Sequence, residues 1–452
     1  MFYLRTNVNS NVKFCVCFFS ADSWYSILGT HAGGTDMRES RTLEYKESIT
    51  NTFLKTVSAF ANYGSGEIIF GITDDGRIIG IRDPKASCLD IENRINDSID
   101  PVPEYTLSVN EKTSVITLKV QEGLHKPYLY KAKAYRRNDS ATIAVDWLEL
   151  ARLILEGQNT SYEELPASDQ SLSFQILEEK LKAVLQIDSF TKDTLKTLEL
   201  FREGSGFNRA GELLSDRNGY PGIDAVRFGN SINIILDRET YEHTSILKQF
   251  DSALEMFRKY YEYEQIRGST REQISLIPEE AFREAAANAL VHRTWDVNSH
   301  INIAMFQDKI QITSPGGLPK GISEEEYMRG GISILRNPII GNVFYRLHMI
   351  EKFGTGIRRI YEAYQGSMIK PTFSITENAI CIILPVLQGK SDLLPDEQKV
   401  YQLLKNREMP SSAIVEATGF GKSKTVTILN RLVQNGYITI LGTGRGTKYK
   451  AE

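Results

Sequence analysis

The sequence predicts a multidomain α/β (α+β) protein, and three observations carry that prediction. Its 452 residues are too many for one hydrophobic core, and at about 150 residues per domain they divide into roughly three. Short apolar runs bounded by glycine and aspartate alternate with stretches of helical periodicity along most of the chain. The C-terminal end then changes character: between 417 and 451 stand Lys422, Lys424, Arg431, Arg445, Lys448 and Lys450 with no Asp or Glu, although the whole chain has a net charge of -4. A basic terminal module on a mildly acidic body predicts a polyanion as partner.

Taken in order, residues 1–36 are read as a start-site artefact or a loose extension. Val12 to Phe19 is apolar but broken by Lys13 and followed by no small-residue cleavage site, and Met37 immediately precedes the first motif. Residues 37–157 are expected to form one α/β domain. Phe53, Val57, Phe60 and Ala61 fall at helical spacing, and Glu67 to Ile72 is an apolar strand ending in the turn Asp74-Asp75-Gly76. Tyr105 to Val109, Val115 to Val120 and Tyr128 to Tyr135 follow as strands, and Val145 to Leu155 as a closing helix. Residues 158–173, rich in Ser, Glu, Asn and Gln, read as a linker.

Residues 174–388 are expected to form the second domain with a leading helical segment. Its predicted elements are helices around Leu177 to Leu185 and Thr191 to Phe201, a strand pair near Ala225 to Leu236, and helices Leu247 to Tyr261 and Pro278 to Val291. Strands Ile301 to Phe306 and Lys309 to Thr313, a helix near Ile339 to Ile350 and a strand Ala379 to Val386 complete it. Residues 396–452 form the last module: helices Asp396 to Asn406, Ser411 to Ala417 and Lys422 to Asn435, then a hairpin Tyr437 to Lys450.

The first stretch with chemistry joins Glu39, Glu44, Tyr45-Lys46, Ala59-Phe60-Ala61-Asn62, Gly64, Gly66, Gly71 and Asp74-Asp75-Gly76, with His125-Lys126-Pro127-Tyr128 and Tyr135-Arg136-Arg137 further on. In these residues the chain resembles the AlbA-2 family of DNA-binding domains, relatives of the Schlafen core, over roughly residues 38 to 155. Schlafen relatives that cleave RNA use an acidic trio, so the resemblance implies Glu39, Glu44 and Asp74 or Asp75 as holders of a divalent cation for phosphodiester cleavage. The alternative is backbone binding by Arg38, Arg41, Lys46, Lys131, Lys133, Arg136 and Arg137, with the carboxylates as their ion-pair partners.

The second stretch places Glu284, Asn288 and His292 at i, i+4 and i+8 on one helix face, where a carboxylate can orient water and an amide oxygen can ligate a hard cation. Gly316-Gly317 and Gly354-Thr355-Gly356 supply loops through which backbone N–H groups can approach phosphates. With Arg293, Pro315 and Arg336-Asn337-Pro338, this resembles the GHKL ATPase fold and the divergent ATPase-like domain attached to AlbA-2 proteins. The resemblance implies ATP and Mg2+ as cofactors, Glu284 as the water-activating base, Asn288 as the metal ligand, and His292, Arg293, Gly316, Gly317, Gly354, Thr355 and Gly356 as nucleotide contacts. The aspartate that reads adenine in the parent fold has no counterpart in Thr313-Ser314-Pro315-Gly316-Gly317. The bland alternative is that Asn288 and His292 satisfy buried backbone groups and the glycines are turns.

The last module looks like a winged helix-turn-helix. Lys422, Ser423, Lys424, Thr425, Thr427 and Arg431 lie on its second helix, where base edges and phosphates are met, and Arg445 and Lys448 on the wing. The same fold used for protein contacts or dimerisation is the alternative. Gly419-Phe420-Gly421-Lys422-Ser423 fails as a phosphate-binding loop, because Glu416 stands where the first glycine is required; a helicase motor is therefore excluded from the reading.

No run of about 20 apolar residues is present, which argues against a membrane role. The cysteines Cys15, Cys17, Cys88 and Cys381 lack metal or disulfide spacing and fit a cytoplasmic setting. The whole predicts a bacterial DNA-binding transcriptional regulator with a nucleotide-responsive GHKL-like domain, whose occupancy alters how the two nucleic-acid-binding ends engage double-stranded DNA, acting as a homodimer or higher oligomer, with RNA as an alternative partner. A Schlafen-like metal-dependent nuclease and a non-catalytic scaffold are the competing readings.

Overall fold

The structure is a computed structural model. It describes residues 38–451 apart from 74, 268, 269, 320, 332, 333, 352, 353, 366, 368, 388–393, 406, 435, 436 and 443. The proposed extension 1–36 and Asp74 thus lie outside the described residues. The chain divides into two compact units, Met1–Leu165 and Pro166–Glu452.

The first unit is built on a mixed four-stranded sheet in the order Leu43–Lys46, Gly66–Phe70, Val115–Val120, Tyr105–Asn110. Only the first pairing is parallel, and the helix Phe53–Tyr63 supplies its crossover. The helix turns Phe53, Leu54, Val57, Phe60 and Ala61 into the core against Ile68, Phe70, Ile116 and Leu118. The expected strand Tyr128 to Tyr135 is two strands, Leu129–Tyr130 and Tyr135–Asn138. Lys131 and Ala132 take φ of 49° and 58°, and Tyr130 and Lys133 exchange backbone bonds across them, so the apolar run conceals a tight turn. The helix Pro84–Ser98 was not predicted: it buries only Ile91 and Ile95, and its legible signal is the cap, Asp83 accepting from Ala86 N with Pro84 at the first position. Helix Trp147–Gly157 starts where Asp146 accepts from Glu149 N–H at 2.8 Å.

The second unit centres on a six-stranded sheet in the order Ile235–Tyr241, Ile223–Phe228, Ile301–Met305, Lys309–Pro315, Ala379–Pro385, Thr372–Ile375. Ile223–Phe228 and Ile301–Met305 run parallel; every other neighbour is antiparallel. Burial alternates along the central strands, so one face carries Ile301, Ile303, Ile310, Ile312 and Ile382 beneath helices. Those helices are Ile246–Tyr261 and Glu279–Val291, locked by Phe257 and Phe282, whose rings stack at 4.4 Å. Between them a two-stranded ribbon, Glu262–Arg267 with Thr270–Ser275, was also unpredicted, since its residues alternate charge rather than hydrophobicity.

The segment read as a linker carries structure. Glu163 in the 3-10 turn Tyr162–Glu164 is fully buried, and Ala167 N–H donates to Phe207 O at 2.9 Å. The C-terminal residues form helices Pro395–Leu404, Ser411–Thr418 and Lys422–Gln434, followed by the antiparallel pair Ile438–Leu441 and Lys448–Ala451. Val400, Leu404, Ile414, Leu429, Leu432 and Ile438 make a core of their own.

Candidate nucleic-acid interface and nucleotide pocket

In the first unit the strand Leu43–Lys46 delivers Glu44 inward, 4% exposed, to Arg137 on the strand Tyr135–Asn138. Arg137 Nη1 lies 2.8 Å from Glu44 Oε2, and Lys46 Nζ lies 2.5 Å from Glu44 Oε1. Arg137 also donates to Ser40 O at 2.9 Å, Leu43 O at 3.3 Å and Thr142 Oγ1 at 3.1 Å. Both carboxylate oxygens are therefore matched to cations, as a buried charge requires. Glu39 turns to the backbone instead, accepting Tyr45 N–H at 3.0 Å; burial, with the charge of Glu39, holds the Tyr45 hydroxyl above its ordinary pKa. Asp75 accepts from the Thr73 hydroxyl, which holds its carboxyl low. Among the described residues no group of three or more His, Cys, Asp or Glu is placed to hold a metal. Arg137, expected to bind nucleic acid, is corrected to a structural cation; Arg136 is more open and pairs with Glu149 at 3.3 Å.

In the second unit the helix Glu279–Val291 aligns Glu284 and Asn288 as its spacing predicts, with Asn288 Nδ2 3.4 Å from Glu284 Oε1. Glu284 is 4% exposed, and burial raises its carboxyl above the ordinary range against the pull of Arg359 and Arg283. The loop Gly354-Thr355-Gly356 closes over this pair. A Cβ on Gly356 would stand 2.4 Å from Glu284 Oε1 and 2.8 Å from Asn288 Nδ2, so glycine is there for close approach to protein atoms. The other loop behaves alike: a Cβ on Gly316 would meet Thr294 Oγ1 at 2.0 Å, and one on Gly317 the backbone oxygen of Glu377 at 2.5 Å.

His292 lines a cavity of about 20 Å³ with Asn288, Ser314, Gly316 and Tyr327. Burial, aided by Arg336, pushes its imidazole pKa down to about 4, so it is neutral at physiological pH. Tyr327 enters this wall from the short helix Glu324–Arg329, whose flanking Gly321, Gly330 and Gly331 all have positive φ. Arg293, expected among the nucleotide contacts, is instead fully buried and is corrected to a clamp: it donates to Pro221 O at 2.7 Å and to Ser299 O, with its guanidinium 4.3 Å from the Trp295 ring. Asn337, which the sequence offered only as part of a motif, caps the helix: its Nδ2 donates to Val291 O at 2.7 Å and Arg293 O at 2.8 Å.

Nucleotide pockets of drug-like size enclose about 300 Å³ or more. Among the described residues the cavity beside Asn288 and His292 encloses about 20 Å³, and Gly316, Gly317 and Gly356 each stand against protein atoms.

In the C-terminal module the helix Lys422–Gln434 buries Thr425, Ile428, Leu429 and Leu432 and exposes Lys422, Ser423, Lys424, Val426, Thr427, Asn430 and Arg431. Thr425, expected to face a ligand, is fully buried and its hydroxyl donates to Gly421 O at 3.2 Å; this is a correction set by helical phase. Lys424 pairs with Asp396 at 2.5 Å, Arg431 with Glu397 at 3.3 Å, and Lys448 lies 3.9 Å from Glu408. The Arg445 side chain lies outside what the structure describes.

Residues 39–146 match the family model "Schlafen, AlbA_2", and residues 298–384 match the model described as "Putative ATP-dependent DNA helicase recG C-terminal". The helix bearing Glu284, Asn288 and His292 precedes the second match. No curated protein matches the chain. Among solved structures, it is similar to the DIP2311 protein from Corynebacterium diphtheriae, with 19% identity over 91% of this chain and 92% of that one and a TM-score of 0.46. It is also similar to the "N-terminal Domain of Putative ATP-dependent DNA Helicase RecG-related Protein from Nitrosomonas europaea", with 25% identity over 27% of this chain and 92% of that one and a TM-score of 0.20. Two segments of the chain are thus similar to known families: residues 39–146 to the Schlafen AlbA_2 model and residues 298–384 to the recG C-terminal model.

Proposed function

We propose that this chain is a DNA-binding transcriptional regulator of the cytoplasm that holds double-stranded DNA through its C-terminal module, with the AlbA_2 domain as a second nucleic-acid surface. One observation carries the reading. On the helix Lys422–Gln434, Ser423, Val426, Thr427 and Asn430 form one exposed face at i, i+3, i+4 and i+7, bordered by Lys422, Lys424 and Arg431. The preceding helix Ser411–Thr418 ends at Gly419, with φ 72°, and the ribbon bearing Lys448 and Lys450 follows, an order that suits a helix-turn-helix with a wing. The ion pairs of Lys424, Lys448 and Lys450 are exposed and exchange for phosphate at little cost. The recG helicase description of the matched model supports DNA as the polymer, with RNA the competing ligand.

Fluorescence anisotropy with labelled duplex DNA tests this. We expect a steep fall of affinity with salt, a slope shallower by about 1 in Lys422→Ala, and loss of sequence preference in Asn430→Ala. Salt-independent binding, or tighter binding to RNA of the same length, would overturn it. The nuclease alternative is weakened because both oxygens of Glu44 already meet cations. No step is assigned to ATP or Mg2+; Glu284 and Asn288 supply the donor types.

A further inference from the structure

We propose that two copies of this chain associate by exchanging the ribbon Glu262–Ser275, each laying its strand Glu262–Arg267 antiparallel along the free edge strand Ile235–Tyr241 of the other. Among the described residues, Ile235–Tyr241 has a neighbour on one side only, and the strands Glu262–Arg267 and Thr270–Ser275 pair only with each other. An isolated two-stranded ribbon is marginal in water, and a bare seven-residue edge invites strand addition.

The two edges are complementary in backbone and in side chain. Ile301 N–H donates to Gly222 O, so residues 222, 224 and 226 face Ile301–Met305 and residues 223, 225 and 227 face the edge strand. Tyr241, Glu239 and Asp237 pair with those, which leaves the N–H and C=O groups of Arg238 and Thr240 pointing outward; the register shifts at Arg227/Phe228, where Phe228 pairs with Ile235 and Leu236 is the extra residue of a bulge. On the ribbon, Leu276 N–H donates to Tyr261 O, so by the same alternation Glu262, Glu264 and Ile266 point outward. Setting these two outward rows antiparallel puts Arg238 opposite Glu264 and Thr240 opposite Glu262. The register sets a cation against an anion and a hydroxyl against a carboxylate on the same face.

The surface is also large enough. Ile232, Ile234, Ile235 and Leu236 are 68%, 48%, 56% and 60% exposed, and Tyr263 and Ile266 are 48% and 70% exposed. At ~200 Å² per large side chain these six offer on the order of 600 Å² of apolar area, near the ~800 Å² per partner of a standard interface once a polar rim is added. Donor and acceptor sit on the same chain, so a second copy satisfies both at once and a two-fold arrangement closes the exchange. This inference is independent of the nucleic-acid reading.

Sedimentation of the full chain from about 1 to 100 μM tests it. We expect a dimer that weakens at least about tenfold in Arg238→Glu and in Glu264→Arg and recovers in the double swap. Because Arg238 also pairs with Asp224, recovery in the double variant separates the trans contact from local damage. Thr240→Cys with Glu262→Cys should give a disulfide-linked dimer under oxidation, and neither single variant should, since an antiparallel pair about 5.5 Å apart suits the bond. A monomer at every concentration, a dimer indifferent to both charge reversals, an open-ended oligomer, or a disulfide formed within one chain would each overturn the proposal.

Discussion

Asn62 holds both backbone polar groups of Tyr128: Tyr128 N–H donates to Asn62 Oδ1 at 2.8 Å, and Asn62 Nδ2 donates to Tyr128 O at 2.9 Å. Ser58 Oγ donates to the same carbonyl at 2.7 Å. Two motifs that stand far apart in the chain, Ala59-Phe60-Ala61-Asn62 and His125-Lys126-Pro127-Tyr128, are thus joined by one side-chain amide. Their residue types reflect the need to satisfy a loop backbone inside the protein.

Asn62→Ala leaves the Tyr128 N–H buried without its acceptor. We expect a loss of about 2–3 kcal/mol in denaturant titration. A change below about 0.5 kcal/mol would place the clamp among the dispensable bonds.

Glu44→Ala strands the Arg137 guanidinium in the interior and should cost about 3–5 kcal/mol, with Arg137→Ala similar and the double variant milder than the sum. Thermal unfolding reads this. Labelled RNA and DNA incubated with Mg2+ or Mn2+ should stay intact in wild type and variant alike; cleavage abolished by Glu44→Ala in a still-folded protein would restore the nuclease.

Gly356→Ala drives a methyl group into Glu284 and Asn288. A loss of about 1–3 kcal/mol is expected, and adding Glu284→Ala should recover part of it, which a double-mutant cycle on unfolding free energies measures.

His292 gives the protein a pH dependence of definite sign. Its folded pKa, about 4, lies below the ordinary 6.5, so the unfolded chain binds the extra proton between those values. Stability is complete above pH 6.5 and declines as pH falls toward 4, by on the order of 3 kcal/mol from this group. Glu284 works in the opposite sense: its raised pKa adds stability that is full below the ordinary 4.5 and disappears as pH rises through the folded value. His292→Gln should flatten the acid limb of a stability profile, and Glu284→Gln should steepen it.

The sequence made legible those elements whose side chains repeat with the backbone. Phe53, Val57 and Phe60 announce a buried helix, and the strand through Ile68 and Phe70 follows from its apolar run and flanking turns. Helix Pro84–Ser98 and the ribbon Glu262–Ser275 escaped because they bury almost nothing, leaving no hydrophobic period to detect. At the candidate site, helical spacing puts Glu284 and Asn288 on one face, where their side chains stand 3.4 Å apart; that Gly356 lies against both could not be read from spacing. What fills the space around them could not be read, because Asn337 acts on Val291 across 46 positions and Arg137 on Glu44 across 93. Spacing predicts which side chains share a face; whether that face opens to solvent or to protein depends on partners remote in sequence, as Arg293 and Thr425 both demonstrate.

The Asn337 amide fastens the last carbonyls of the helix that presents Glu284, while Pro338 begins the next helix, Pro338–Arg346. Sliding these two helices apart would strand two carbonyls at once, so one amide ties the end of the first helix to the start of the second. Across the cavity from that tie stands Tyr327, on a six-residue helix flanked by Gly321, Gly330 and Gly331 at positive φ.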